Sequence, residues 1–178
     1  MKYKTIVADP PWPYGKSGAY SWRRSRPSGE ARPLPYQTMP VDEIAALSVS
    51  ELSENDAHLY LWTTNRFILD GYRIAKAWGF EPRQILTWVK PPTGWGMGGA
   101  FANSTEFVIF ARRGRLPYKT RINRDWWQWS RGEHSAKPEA FQDIVESVSP
   151  GPYIELFARR NRLGWATWGN ESLCHVQL

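Results

Sequence analysis

Short apolar runs, separated by helical spacings or by turn residues, set the architecture of this chain. The first run, Thr5-Ile6-Val7-Ala8, is largely β-branched and must stop at Asp9, because Pro10 and Pro11 can neither donate to a ladder nor follow as helix. Similar runs at Leu59-Tyr60-Leu61-Trp62-Thr63, Ile85 to Val89, Glu106 to Phe110, Tyr153 to Phe157 and Trp165 to Trp168 predict five further strands. A short helix is expected from Val41 to Leu47, opened by Pro40 and by acidic Asp42 and Glu43. After Asn65, the apolar set Phe67, Ile68, Leu69, Tyr72, Ile74, Ala75 and Trp78 includes an i, i+3/i+4 face that Gly79 ends. Pro138 opens another helix through Val148, with Phe141, Ile144, Val145 and Val148 on one face, and Ser149-Pro150-Gly151-Pro152 stops it. Strands alternating with helices predict an α/β fold with a largely parallel sheet that admits an antiparallel edge. The whole of 1–178 reads as one domain.

Three segments interrupt this pattern. Pro13 to Tyr36 is polar, rich in Gly, Pro and Ser, and basic through Arg23, Arg24, Arg26 and Arg32. Loops of that length tend to be functional, and its place after Asp9 favours a lid that contacts substrate. Gly94 to Gly99 is glycine-rich without the spacing of a phosphate loop and reads as a connector. From Arg112 to Lys137, basic Lys119, Arg121, Arg124 and Arg131 alternate with Tyr118, Trp126, Trp127 and Trp129. Such interleaving suits phosphate contacts and base stacking, while a hydrophobic plug or a dimer surface suits the tryptophans nearly as well.

Composition narrows the partners. A net charge of +6 points to an anionic partner, nucleic acid foremost. The single Cys174 excludes an internal disulfide and a cysteine-rich zinc site, and the three histidines have no metal-ligand spacing. No apolar stretch reaches the length of a membrane helix, so a soluble, cytoplasmic protein is expected.

Asp9-Pro10-Pro11-Trp12 concentrates the chemistry. A carboxylate at a strand's carboxyl end points into the crevice where ligands of open α/β sheets bind. The exocyclic amine of adenine is a poor nucleophile, because its lone pair is delocalised into the ring. Asp9 accepting one N–H, and a carbonyl of the Pro10-Pro11 segment accepting the other, would draw the nitrogen out of plane and stabilise the charge that develops. An ordinary Asp pKa suffices for that role. Trp12 would supply a stacking face. The alternative is a strand-ending turn with Trp12 as a core anchor.

Further motifs follow in order: Pro35-Tyr36-Gln37-Thr38-Met39, Leu59-Tyr60-Leu61-Trp62-Thr63, Trp88-Val89-Lys90, His134-Ser135-Ala136-Lys137-Pro138, Leu156-Phe157-Ala158-Arg159 and Trp168-Gly169-Asn170-Glu171. With Ala8-Asp9-Pro10-Pro11-Trp12 they resemble the MT-A family of N6-adenine methyltransferases over nearly the whole chain. That family includes the eukaryotic messenger-RNA adenosine methyltransferase and smaller bacterial and phage members. The resemblance implies a permuted Rossmann-like methyltransferase fold of class I, with a mostly parallel sheet flanked by helices, and S-adenosyl-L-methionine as cofactor, without a metal. It implies catalytic Asp9, Pro10, Pro11 and Trp12, and substrate contacts from Tyr36 and Glu106, to which the basic lid adds Arg23 and Arg24. Cofactor contacts would come from Asp9, Lys137, Glu155, Arg159, Asn161, Asn170 and Glu171. The chain begins almost at its catalytic strand, so weak cofactor binding or a substitute contact to the cofactor adenine is expected. DNA is the favoured substrate. RNA, a silent nucleic-acid-binding partner subunit and a small-molecule methyltransferase are the alternatives, and a homodimer or a second protein could supply selectivity.

Overall fold

The computed structural model describes residues 1–14, 37–91, 100–132, 136–169, 172 and 174–178. The expected lid with Arg23, Arg24 and Tyr36, the Gly94–Gly99 connector, and Asn170 and Glu171 lie outside the described residues.

In chain order, β1 (Tyr3–Ala8) is followed by α1 (Val41–Ala46), α2 (Val49–Leu52), β2 (Ser53–Thr63) and α3 (Ile68–Ala77). Next come β3 (Glu81–Val89), β4 (Thr105–Arg113), β5 (Trp126–Gln128), α4 (Glu139–Val148), β6 (Tyr153–Leu156) and β7 (Trp165–Trp168). One sheet carries all of these strands in the order β5-β3-β4-β2-β1-β6-β7. β1 runs parallel to both β2 and β6, β6 to β7, and β3 to β5, whereas β4 is antiparallel to β2 and to β3. The antiparallel strand therefore lies inside the sheet, not at the edge the sequence suggested. Consecutive β3 and β4 pair directly and in opposite directions, and β4 fills the place between β3 and β2.

β1 is buried on both faces because its neighbours cover its ladders and helices cover its sides. Ile6 and Ala8 pack with Leu59, Leu61, Ile109, Ile154 and Leu156 against Ile44 of α1 and Ile74 of α3. On the opposite face Val7, Tyr60, Trp62, Val108 and Phe110 meet Phe141 and Val145 of α4. α3 ends where Gly79 takes a positive φ of 82°, and the Phe80 N–H bonds back to Ala75 O at 2.9 Å. A polar cluster ties α4 to the sheet: buried Ser149 lies 2.7 Å from both His58 Nδ1 and the Tyr60 hydroxyl. Burial and the nearby Arg112 hold the His58 pKa down to about 4, so the imidazole is neutral here.

β2 and β3 begin earlier than their apolar runs indicate: β3 opens with Glu81, which pairs in the ladder while facing solvent, and β2 opens with buried Ser53 opposite Tyr3, followed by polar residues at a register shift. β5 falls inside the segment that reads as irregular. Its alternation is real, with Trp126 52% exposed and Trp127 7%, but tryptophans on both faces hide it from a polarity pattern. No helix among the described residues is long and apolar enough to cross a membrane.

Candidate active site

Asp9 leaves the end of β1 with its N–H bonded to Leu156 O of β6 at 3.3 Å. Around it the carboxyl ends of β1, β2, β6 and β7 form one rim, where ligands of open α/β sheets bind. Because β4 runs the other way, it is the start of that strand, with Glu106, that reaches the same rim. Between them opens a cavity of about 430 Å³, within the size range of small-molecule sites. Asp9, Pro10, Pro11, Trp12, Glu106, Lys137 and Arg159 all line it, so the structure brings together these seven expected residues.

Charges of alternating sign run through the floor of this site. Lys137 Nζ, just ahead of α4, donates to Asp9 Oδ2 at 2.6 Å and lies 3.4 Å from Glu106 Oε2. The other Glu106 oxygen accepts from Lys90 at the end of β3. All four side chains are between 12% and 23% exposed, so each charge depends on its neighbours more than on water. Burial pushes the Asp9 pKa above its ordinary value, against the pull of Lys137, with Glu106 adding to the rise and Arg159 opposing it. An ordinary Asp pKa would suffice for the role, but the carboxylate is more enclosed than the end of a strand implies and its pKa lies higher. For Lys137, burial lowers the pKa, but Asp9 and Glu106 outweigh it and the net shift is upward.

The Pro-Pro segment is less open than expected. Pro10 O accepts the Trp12 N–H at 2.9 Å and Pro11 O accepts the Met39 N–H at 2.9 Å. Each carbonyl keeps a second lone pair, so a further hydrogen bond is available, though from a segment already fixed. Trp12 is 4% exposed: it stacks on Phe67 at 5.1 Å and 13°, and its indole N–H bonds to Trp62 O at 3.2 Å. It anchors the tetrapeptide in the core and only borders the cavity, which corrects the expectation of an open stacking face. Two apolar faces in contact exclude more water than one face held ready for a ligand.

The opposite wall is built by the residues after β6 and β7. Phe157 has φ 61°, an unfavourable conformation for a bulky side chain, of a kind that concentrates at functional sites. Its ring meets Trp168 edge-on at 5.1 Å, and the Ala158 N–H bonds to Trp168 O at 2.9 Å. Gly169 permits this close approach, since a Cβ there would fall 2.4 Å from Ala158 O. Exposed Arg159 follows on the same rim. Lys137 and Arg159 can hold a carboxylate, Asp9 an ammonium, and Phe157 and Trp168 a planar ring.

Two expected cofactor contacts are not brought to this wall. Glu155 faces α4, where its Oε2 accepts from Gln142 Nε2 at 2.5 Å. Asn161 Oδ1 instead accepts from the Thr167 hydroxyl at 3.2 Å. Trp127 and Trp129, candidates for base stacking, lie parallel at 5.8 Å, and Trp129 O accepts the Trp88 indole N–H at 3.0 Å. They brace β3, leaving Trp126 as the exposed member. Lys90 carries no assigned role in the sequence reading, although it belongs to the Trp88-Val89-Lys90 motif. Its partner emerges only with the β3–β4 register, which pairs Trp88 with Glu106. Among the described residues no cluster of His, Cys, Asp and Glu could hold a metal ion.

Comparison with known proteins places this geometry. The MT-A70 family pattern matches residues 3–171. The chain is 34% identical over 183 residues to the type II methyltransferase M.MunI of a Mycoplasma species, covering 96% of this chain and 78% of that protein. It is 31% identical to the N(6)-adenosine-methyltransferase MT-A70-like protein of Drosophila melanogaster, covering 96% of this chain and 27% of that protein. Identity to the N(6)-adenosine-methyltransferase catalytic subunit METTL3 of Homo sapiens is 27%, with 96% and 28% covered. The chain therefore spans little more than a quarter of these two animal relatives.

Proposed function

The chain belongs to the MT-A70 family, and from that premise we propose that it methylates the exocyclic N6 amine of adenine in nucleic acid, with S-adenosyl-L-methionine as donor and DNA as favoured substrate. The observation that carries this reading is the Asp9 carboxylate at the end of β1, on the cavity rim and held by Lys137 at 2.6 Å. Lys137 takes Oδ2, so the contact to the target amine falls to Oδ1. Asp9 accepts one amine N–H, and the second lone pair of Pro10 O or Pro11 O accepts the other. Both acceptors favour a tetrahedral nitrogen and stabilise its growing positive charge. When the methyl is transferred that nitrogen must lose a proton, for which Asp9 is the adjacent acceptor, and its raised pKa makes it a stronger base than an exposed aspartate.

S-adenosyl-L-methionine, when bound, supplies an electrophilic methyl on a sulfonium. The donor set fits it: Lys137 and Arg159 suit its carboxylate, Asp9 its ammonium, and the Phe157–Trp168 corner its adenine. Asn170 and Glu171, implied by the resemblance, would complete the ribose and adenosine contacts. DNA is favoured because the relative that the chain spans for 78% of its length is named a type II methyltransferase. RNA is the second reading, supported by the relatives named for adenosine.

The test is direct. The protein is incubated with methyl-labelled donor and equal amounts of DNA and RNA oligonucleotides, and the nucleosides are identified by mass spectrometry. N6-methyldeoxyadenosine is expected. Label only in N6-methyladenosine would establish the RNA reading, and label in neither would refute methyl transfer to adenine.

A further inference from the structure

We infer that Lys90, at the end of β3, is a positioning residue for Asp9: by holding the Glu106 carboxylate it keeps Lys137 committed to Asp9. The inference deepens the methyl-transfer reading and rests on it for its kinetic consequence alone.

Lys90 is not an ordinary surface lysine. Its side chain is 12% exposed, and its ammonium sits 4.5 Å from the centre of the Trp88 indole while bonding to Glu106 Oε1. Trp88 is itself 4% exposed and fixed by Trp129 O, and the Lys90 N–H bonds to Ser104 O at 2.7 Å across the β3–β4 pair. Stem and ammonium are therefore both held, which a long side chain accepts only at an entropic cost. The observed order, Asp9, Lys137, Glu106, Lys90, balances two negative charges with two positive ones.

Without Lys90 that balance fails in a definite direction. Lys137 would face two carboxylates alone, and its shorter contact, to Asp9, would compete with a Glu106 that had lost its other partner. The groups that face Asp9 are Lys137 ahead of α4, Glu106 of β4 and Arg159 beyond β6, with Glu43 of α1 on the cavity wall and Glu155 of β6, which faces α4, within electrostatic reach. Removing Lys90 changes the Glu106 contribution directly and the Lys137 contribution through it, both in the same direction, while the others keep theirs. An uncompensated Glu106 disfavours the charged form of Asp9, so the carboxylate would be protonated at higher pH.

The experiment titrates Asp9 itself. In protein carrying 13C-labelled aspartate, the Asp9 carboxyl shift is followed with pH for the unmodified chain, K90M, K90R, E106Q and the K90M/E106Q double variant. K90M is expected to raise the Asp9 midpoint by about one pH unit, from one unit charge lost one side chain away. K90R should restore the midpoint, and K90M should add no shift in the E106Q background. In a methyl-transfer assay the acid limb of kcat/KM should move with the K90M midpoint. An unchanged midpoint in K90M, or an equal shift with and without Glu106, would overturn the inference. If K90M fails to fold, K90Q carries the same expectation, since it retains a donor but no charge. The titration uses no substrate, so absence of methyl transfer by the unmodified protein refutes the proposed function and leaves the titration to decide Lys90.

Discussion

Replacing Glu155 with Gln should make the protein's stability less sensitive to pH, in a direction opposite to that of an ordinary ion-paired carboxylate. Glu155 lies on β6 in register with Val7 and Thr167, on the face covered by α4, and accepts from Gln142, which is 4% exposed. Burial pushes its pKa from 4.5 to about 7, with Arg160 opposing the rise, Asp9 adding to it, and the Gln142 hydrogen bond and Arg162 opposing it. A folded pKa above the unfolded one means that the native state binds more protons in this window. The stability so contributed is fully present below about 4.5 and is lost as pH rises through about 7. That gap corresponds to about 3 kcal/mol at about 1.36 kcal/mol per pH unit, and partial solvent access trims it to about 1–3 kcal/mol. E155Q removes the titration but keeps the shape and an acceptor for Gln142. Urea unfolding of both proteins should show the unmodified chain losing about 1–3 kcal/mol relative to E155Q between about pH 5 and about pH 8. A stability difference constant across that range would show that burial does not control this carboxylate.

Two further outcomes follow from the geometry and a third from the basic segment of the sequence. W12A should cost about 3–5 kcal/mol in urea unfolding, because Trp12 fills the core against Phe67; a loss below about 1 kcal/mol would return Trp12 to an open stacking role. The rate of methyl transfer should fall as pH drops through the raised Asp9 pKa, and K137M should move that acid limb up by about 1–3 pH units, since the first charge opposing the burial of Asp9 is gone; an unmoved limb would separate Asp9 from Lys137. Replacing Arg23, Arg24 and Arg26 together should weaken nucleic-acid binding and lower its salt slope by about 2–3, measured by fluorescence anisotropy, whereas an unchanged slope would make that segment a bystander.

Much of this architecture was legible because burial writes itself into short apolar runs. β1, β6 and β7 coincide with their runs within two residues, and α4 differs from its expected span only in that Pro138 caps the helix instead of opening it. What escaped was set by pairing, which one sequence does not encode. The direction of β4 depends on its neighbours, and with it the arrival of Glu106 beside Lys137 and Lys90. The motif around Asp9 pointed to the rim on which the cavity lies, yet how enclosed that carboxylate is follows from residues far away in sequence. Trp12 shows the same limit from the other side. A tryptophan after two prolines suits a ligand or the core equally, and only the position of Phe67 decides between them.

The central claim is that Asp9 prepares the amine that receives the methyl group. Its most direct test compares the unmodified protein with D9A in the labelled-donor assay, with near-identical circular dichroism as the condition for comparison. Lys137 retains Glu106 in D9A, so the fold should persist. The account predicts N6-methyladenine from the unmodified protein and a loss of about 100-fold or more in D9A. N6-methyladenine formed by D9A at the rate of the unmodified chain would contradict it.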